Sequence, residues 1–298
     1  MENDHALPPW ADEIPEGAFI AYDETYKVGE YFDRFHKDVY KGTSAGDLKY
    51  YWYDPTEHGY PAGKEYPLII FLHGVSNSFM GDICINYAGA EFYAKDEYQK
   101  DFGGAYLLVP IANEKQDEST NLNVSGFWGE DYTVPLYDLI NAFIKEKTKG
   151  VSKKIIIGNS SGGLMSFLLV NAYTDFFDAL LPAGNAAIPD DGMLDRYDEN
   201  NIYLFLALCR HDELHDFPIE VDPRIPRLKR MHHCTLFLPE WVYTGDHGVQ
   251  SIVGLQEMGQ HCIINQLHMN LKFDDGTPMD ENLPRGVTGW ISDVIHNR

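Results

Sequence analysis

Lys153-Lys154-Ile155-Ile156-Ile157-Gly158-Asn159-Ser160-Ser161-Gly162-Gly163 is the stretch on which the reading of this sequence turns. Its apolar run is short and unbroken, the pattern of a strand buried on both faces. From Ser161 onward Leu164, Phe167, Leu168 and Val170 recur at helical spacing. The pattern Gly158-x-Ser160-x-Gly162 therefore sits between a strand and a helix, the context in which G-x-S-x-G presents a serine nucleophile. The serine must stand on a sharp turn above the sheet, and glycines at 158 and 162 let strand and helix close on that turn. The backbone N–H of Ser161, at the helix N-terminus, is placed to stabilise a developing oxyanion. Five-residue matches arise by chance, and the plain alternative is a glycine-rich turn in a sheet without chemistry. A phosphate-binding loop is disfavoured because G-x-x-x-x-G-K is absent.

Working outward, Tyr66-Pro67-Leu68-Ile69-Ile70-Phe71-Leu72, Ala105-Tyr106-Leu107-Leu108-Val109-Pro110 and Tyr203-Leu204-Phe205-Leu206-Ala207-Leu208 read as further buried strands. Shorter candidates are Ala179-Leu180-Leu181-Pro182 and Cys234-Thr235-Leu236-Phe237-Leu238. Residues 39–41 and 48–53 read as a hairpin around the glycines at 42 and 46. Residues 134–147 place Leu136, Leu139, Ile140 and Phe143 on one helical face, and 224–231 is a shorter basic helix candidate. Strands alternating with helices predict an α/β fold, a mostly parallel central sheet with helices on both faces. Residues 1–298 are expected to form a single domain, with an extended arm over 1–18 and a C-terminal extension over 262–298 packed on it.

A serine hydroxyl needs a base, and the base needs an acid to orient it. With the nucleophile on the central strand, the acid is expected after the next-to-last strand and the histidine after the last. Asp212, in Cys209-Arg210-His211-Asp212-Glu213, is the expected acid; Glu213 and Asp216 are the neighbours a register error would put in its place, with Asp190 or Asp191 behind them. His247, in Tyr243-Thr244-Gly245-Asp246-His247-Gly248, is the expected base. His261 and His268 are read as core or surface residues of a later helical region, and His232-His233 as structural. His211 and His215 stand at metal-pair spacing without an evident third ligand, so no metal or other cofactor is expected. The loop His73-Gly74-Val75-Ser76-Asn77 should supply the second oxyanion donor through the Val75 N–H, paired with that of Ser161. Trp128, Asn77 and Trp241 are the candidate substrate contacts; Trp128 reads equally well as an anchor for its own loop.

The formal net charge of -23 repels phosphate backbones and anionic lipid, which excludes nucleic acid and membrane surfaces as expected partners. No run approaches the length of a membrane-spanning helix and no signal peptide is visible. The chain as it stands reads as cytoplasmic, and as secreted if a leader has been trimmed. The cysteines at 84, 209, 234 and 262 show no C-x-x-C spacing and read as reduced, mostly buried thiols. Oligomeric state is not legible in the pattern.

The His73-Gly74 loop, the Gly158–Gly163 elbow, Arg210-His211-Asp212 and Gly245-Asp246-His247 together resemble the α/β-hydrolase esterases. The nearer likeness is to feruloyl and acetyl-xylan esterases and polyhydroxybutyrate-depolymerase-like enzymes, in which a doubled glycine follows the elbow. The resemblance implies hydrolysis of a small-molecule or oligosaccharide ester, feruloyl or acetyl esters of plant cell-wall carbohydrate, through an acyl-enzyme. The same fold also hosts peptidases and non-catalytic binding proteins. One departure stands out: in the family the final histidine often precedes a C-terminal helix directly, whereas a long tail follows His247.

Overall fold

The computed structural model describes residues 30–75, 90–117, 122–242, 252–253, 256–257, 260–261, 263–272 and 276–297. The chain opens with β1 (His36–Thr43) and β2 (Gly46–Tyr53), then β3 (Tyr66–Leu72), α1 (Asp96–Phe102) and β4 (Tyr106–Pro110). A small hairpin of β5 (Glu114–Asp117) and β6 (Leu122–Ser125) precedes α2 (Thr133–Lys147). Then come β7 (Val151–Asn159), α3 (Ser161–Ala172), β8 (Ala179–Ala183), α4 (Asp191–Glu199) and β9 (Tyr203–Ala207). Two single turns, α5 (Phe217–Glu220) and α6 (Ile225–Leu228), lead to β10 (Cys234–Phe237). After the two-residue strands β11 (Ile252–Val253) and β12 (Gln256–Glu257) come α7 (Ile264–His268) and α8 (Gly286–His296).

Eight strands form one sheet in the order β1-β2-β4-β3-β7-β8-β9-β10. Pairing is antiparallel from β1 to β2 and from β2 to β4, and parallel across every pair from β4 to β10. The mostly parallel sheet expected from the sequence is therefore present, with a hairpin added at one edge. In that hairpin Thr43 faces Gly46, so only Ser44 and Ala45 form the turn.

The unbroken apolar runs are explained by what lies on each side. Ile69 and Phe71 of β3, Ile155 and Ile157 of β7, and Phe205 of β9 enter one core, while Leu68, Ile70, Ile156, Leu204 and Leu206 enter the other. Successive side chains of a strand point to opposite faces, so both parities must be apolar when both faces are covered. Tyr98 and Phe102 of α1 and Val287, Trp290 and Ile291 of α8 cover the first face. Leu136, Leu139, Ile140 and Phe143 of α2 cover the second, all at about the lowest exposures in the chain. In α3 the expected stripe is displaced: Met165 and Leu169 are fully buried, while Leu164 and Leu168 are only half-buried. This helix packs against α2, β3, β7 and β8 at once, so nearly its whole circumference is apolar and no single face stands out in the pattern. The basic segment near 224–231 forms only the short α6, preceded by a 3₁₀ turn over Asp222–Arg224. Among the described residues no helix is long and apolar enough to cross a membrane.

Candidate active site

β7 ends at Asn159 and α3 begins at Ser161, leaving Ser160 alone at the corner with φ 53 and ψ -114. A non-glycine residue in this region is strained by roughly 1–3 kcal/mol, and such strain persists only where the surroundings over-determine it. They do so here. Ser160 N–H donates to Ala183 O of β8 at 2.8 Å, and its carbonyl accepts from Leu164 N–H at 3.0 Å and Asn185 Nδ2 at 3.1 Å. The glycines are required by contact distance. A Cβ on Gly158 would lie 2.0 Å from Gly162 O, and one on Gly162 would lie 2.1 Å from Leu72 O and 2.7 Å from His73 O. Gly163, the second of the doublet, sits where a Cβ would meet Ala183 O at 3.0 Å. Strand, helix and the end of β3 thus close to backbone contact around Ser160.

Asp212 lies in the loop after β9. Its side chain is 0% exposed, and its Oδ1 accepts from Leu214 N–H at 2.8 Å. The ring beside it belongs to His261. His261 Nδ1 lies 3.0 and 2.9 Å from the two Asp212 carboxylate oxygens, and its Nε2 lies 2.9 Å from Ser160 Oγ. A carboxylate only accepts, so Nδ1 carries the proton and Nε2 is left to accept from the serine hydroxyl. Ser160 and Asp212, named from sequence, are brought together as a hydrogen-bonded row. His247, expected as the base, is replaced in that row by His261; His247 itself lies outside the described residues. No local motif marks His261, which stands shortly before the short helix α7.

The segments after β3, after β4 and before α2 meet at His73. His73 is fully buried after β3; its Nε2 accepts Ala112 N–H at 3.0 Å and its Nδ1 contacts Gly74 O at 2.7 Å. Burial pushes the imidazole down to about 4, so it is a neutral structural group. The same residue's carbonyl accepts from Trp128 Nε1 at 3.0 Å. Trp128 is 0% exposed and packs its ring on His73 and Tyr132. This corrects its assignment as a substrate contact: a fully enclosed indole has no surface left for a ligand, and it anchors its loop. Phe127, next to it, is 49% exposed instead. Trp241 stacks on His211 at 3.7 Å between ring centroids. Val75 follows the anchored loop at 39% exposure, and Asn77 lies outside the described residues. Ser161 is buried at the first position of α3, and Gly162 touches the peptides that lead to Val75.

Asp212, His215 and His261 bring ligand-type atoms within 4.8 Å of one another. Two of the three already serve the row at Ser160, and His215 faces Glu220 Oε2 at 3.2 Å and Gly184 O at 3.3 Å. His211 instead faces Glu240 Oε1 at 3.1 Å, so the sequence pair His211 and His215 does not converge. Cys209 and Cys234 are free thiols, both pushed up to about 12 by burial.

No protein-family model matches the sequence, and no curated protein does. Solved structures do match. A thermostable esterase superposes with a TM-score of 0.58 at 18% identity, over 78% of this chain and 60% of the other. A ferulic acid esterase superposes with a TM-score of 0.52 at 13% identity, over 87% of this chain and 98% of the other. An esterase from Pyrococcus furiosus superposes at 0.50 and 13% identity, over 72% of this chain and 86% of the other. The chain spans three-fifths of the first of these structures and nearly all of the second. At such identities the likeness establishes the fold, which is that of the α/β-hydrolases.

Proposed function

We propose, on the premise of an α/β-hydrolase fold, that this chain is a serine carboxylic-ester hydrolase whose catalytic triad is Ser160, His261 and Asp212. The observation that carries the reading is the row itself: Ser160 Oγ to His261 Nε2 at 2.9 Å, and His261 Nδ1 to Asp212 at 2.9 Å, beyond the C-terminal ends of parallel strands. In this reading His261 takes the Ser160 proton as Oγ attacks the ester carbonyl, and the oxyanion is held by the N–H groups of Ser161 and Val75. His261 then gives that proton to the leaving alcohol, and the acyl group stays on Ser160. A water enters, loses its proton to His261, attacks the acyl carbon and releases the acid, restoring the serine. Asp212 stabilises the imidazolium at each stage.

For the substrate we propose feruloyl or acetyl esters of plant cell-wall carbohydrate. Support comes from the exposed Phe127 and Val75 beside the anchored loop, which suit an aromatic acyl group, and from the ferulic acid esterase whose length the chain nearly spans. Labelling with a fluorophosphonate probe tests the chemistry, and a panel of feruloyl, acetyl and peptide substrates tests the class. Adduct formation at Ser160 with turnover of the esters is the expected result. A folded protein that fails to label at Ser160 would remove the enzyme reading, and turnover of peptides alone would make it a peptidase.

A further inference from the structure

Glu213 follows the proposed acid in sequence but directs its carboxylate to another target. Its Oε1 accepts Gln260 N–H at 3.0 Å and its Oε2 accepts His261 N–H at 2.7 Å. Both oxygens are thus engaged by consecutive main-chain groups of a segment 48 residues away. Burial raises the Glu213 carboxyl above its usual range, and the Gln260 and His261 N–H groups oppose that shift. A carboxylate so placed costs desolvation free energy, which charge-assisted bonds of this kind offset.

Gln260 and His261 lie in a turn, and α7 begins only at Ile264. The Gln260 side chain extends the same fastening: its Oε1 accepts Val242 N–H at 2.7 Å and faces Cys209 Sγ at 3.4 Å. Cys209 leaves the end of β9 and Val242 follows β10, so the turn is fastened to the loops after two neighbouring parallel strands.

We infer that Glu213 is a positioning residue for His261: it holds the main chain of that turn at the depth where the imidazole spans from Asp212 to Ser160. The inference rests on the proposed triad and adds a division of labour within one loop. Asp212 orients the ring through Nδ1, and Glu213 sets the backbone from which the ring projects. A displacement of His261 by about 1 Å would lengthen its contact to Ser160 while leaving substrate binding in place, and such misplacement costs on the order of 100-fold in rate.

The test compares Glu213→Gln with Glu220→Gln, an exposed neighbour in α5, using a feruloyl or acetyl ester. Glutamine keeps the size but offers one acceptor, and turns an NH₂ donor toward one of the two N–H groups. Glu213→Gln is expected to lower kcat about 10- to 100-fold with KM within about 3-fold, and Glu220→Gln to leave both unchanged. Proton NMR supplies a readout independent of turnover. The far-downfield resonance of the His261 Nδ1–H facing Asp212 should be present in the wild type and in Glu220→Gln, and broadened or lost in folded Glu213→Gln. Wild-type kcat and an unchanged resonance in Glu213→Gln would overturn the inference, as would a loss of kcat no larger than the unfolded fraction. If Glu213→Gln does not fold, Glu213→Asp carries the same readouts, because it keeps the charge and shortens the reach by one methylene. A wild type that neither labels at Ser160 nor hydrolyses esters would defeat the esterase reading, while the resonance would still decide the role of Glu213.

Discussion

Ser160 stands alone at the corner between β7 and α3. Its conformation, with φ 53, is strained for a residue bearing a Cβ, and both glycines beside it are needed because a methyl group would meet backbone oxygen near 2 Å. Those requirements left a five-letter trace in the sequence. His261 left no such trace, because its role depends on reaching Asp212 and Ser160 from 49 and 101 residues away. The distinction is measurable. Ser160→Ala and His261→Ala should each lower kcat by about 10⁴-fold or more, since members of the proposed triad would act as a unit. His247→Ala should stay within about 10-fold of wild type. Steady-state kinetics on an ester decides it; a larger loss at His247 than at His261 would return the base to the glycine-flanked loop.

At the level of elements, Trp128 and Phe127 are neighbours with opposite exposure, set by which way the loop before α2 turns them. The Trp128 indole is enclosed and donates to the His73 carbonyl, so Trp128→Phe leaves a buried acceptor unpaired. That should destabilise the fold by about 1–3 kcal/mol, read as a lower denaturation midpoint, with little change in KM. Phe127→Ala should do the reverse: nearly unchanged stability and a raised KM for feruloyl but not acetyl esters, because its ring is half exposed. Equal KM effects on both esters would place Phe127 outside the acyl site. Periodicity could locate α2 because its one buried face carries Leu136, Leu139, Ile140 and Phe143. It could not rank the residues of α3, which is surrounded, nor tell an anchoring tryptophan from a ligand-binding one, since both are aromatic residues in a loop near glycine.

The stability of the whole molecule should carry the signature of His73. This histidine is held neutral in the fold, pushed from 6.5 to about 4 by burial, whereas in the unfolded chain it takes up a proton near 6.5. Above that pH both states are neutral and the contribution is complete. As pH falls from 6.5 toward 4 the unfolded chain binds a proton that the fold does not, so stability declines, by up to about 3 kcal/mol, and levels below about 4. Urea unfolding between pH 7 and 4 should show this slope, and it should be reduced in His73→Asn. In the native protein the His73 ring resonances should not titrate until near pH 4; titration near 6.5 would mean the site is open to water.

What the sequence by itself determined about this protein is its layering. Apolar residues at both parities of β3, β7 and β9 demand cover on two faces, and the G-x-S-x-G pattern needs only local contacts between strand, turn and helix. Only the tertiary structure decided which histidine faces Ser160. That choice depends on loops leaving β9 and β10 being fastened together by Glu213 and Gln260, through hydrogen bonds between groups with no periodic relation along the chain. Short-range patterning records what each element must bury; it carries no record of where two irregular loops meet.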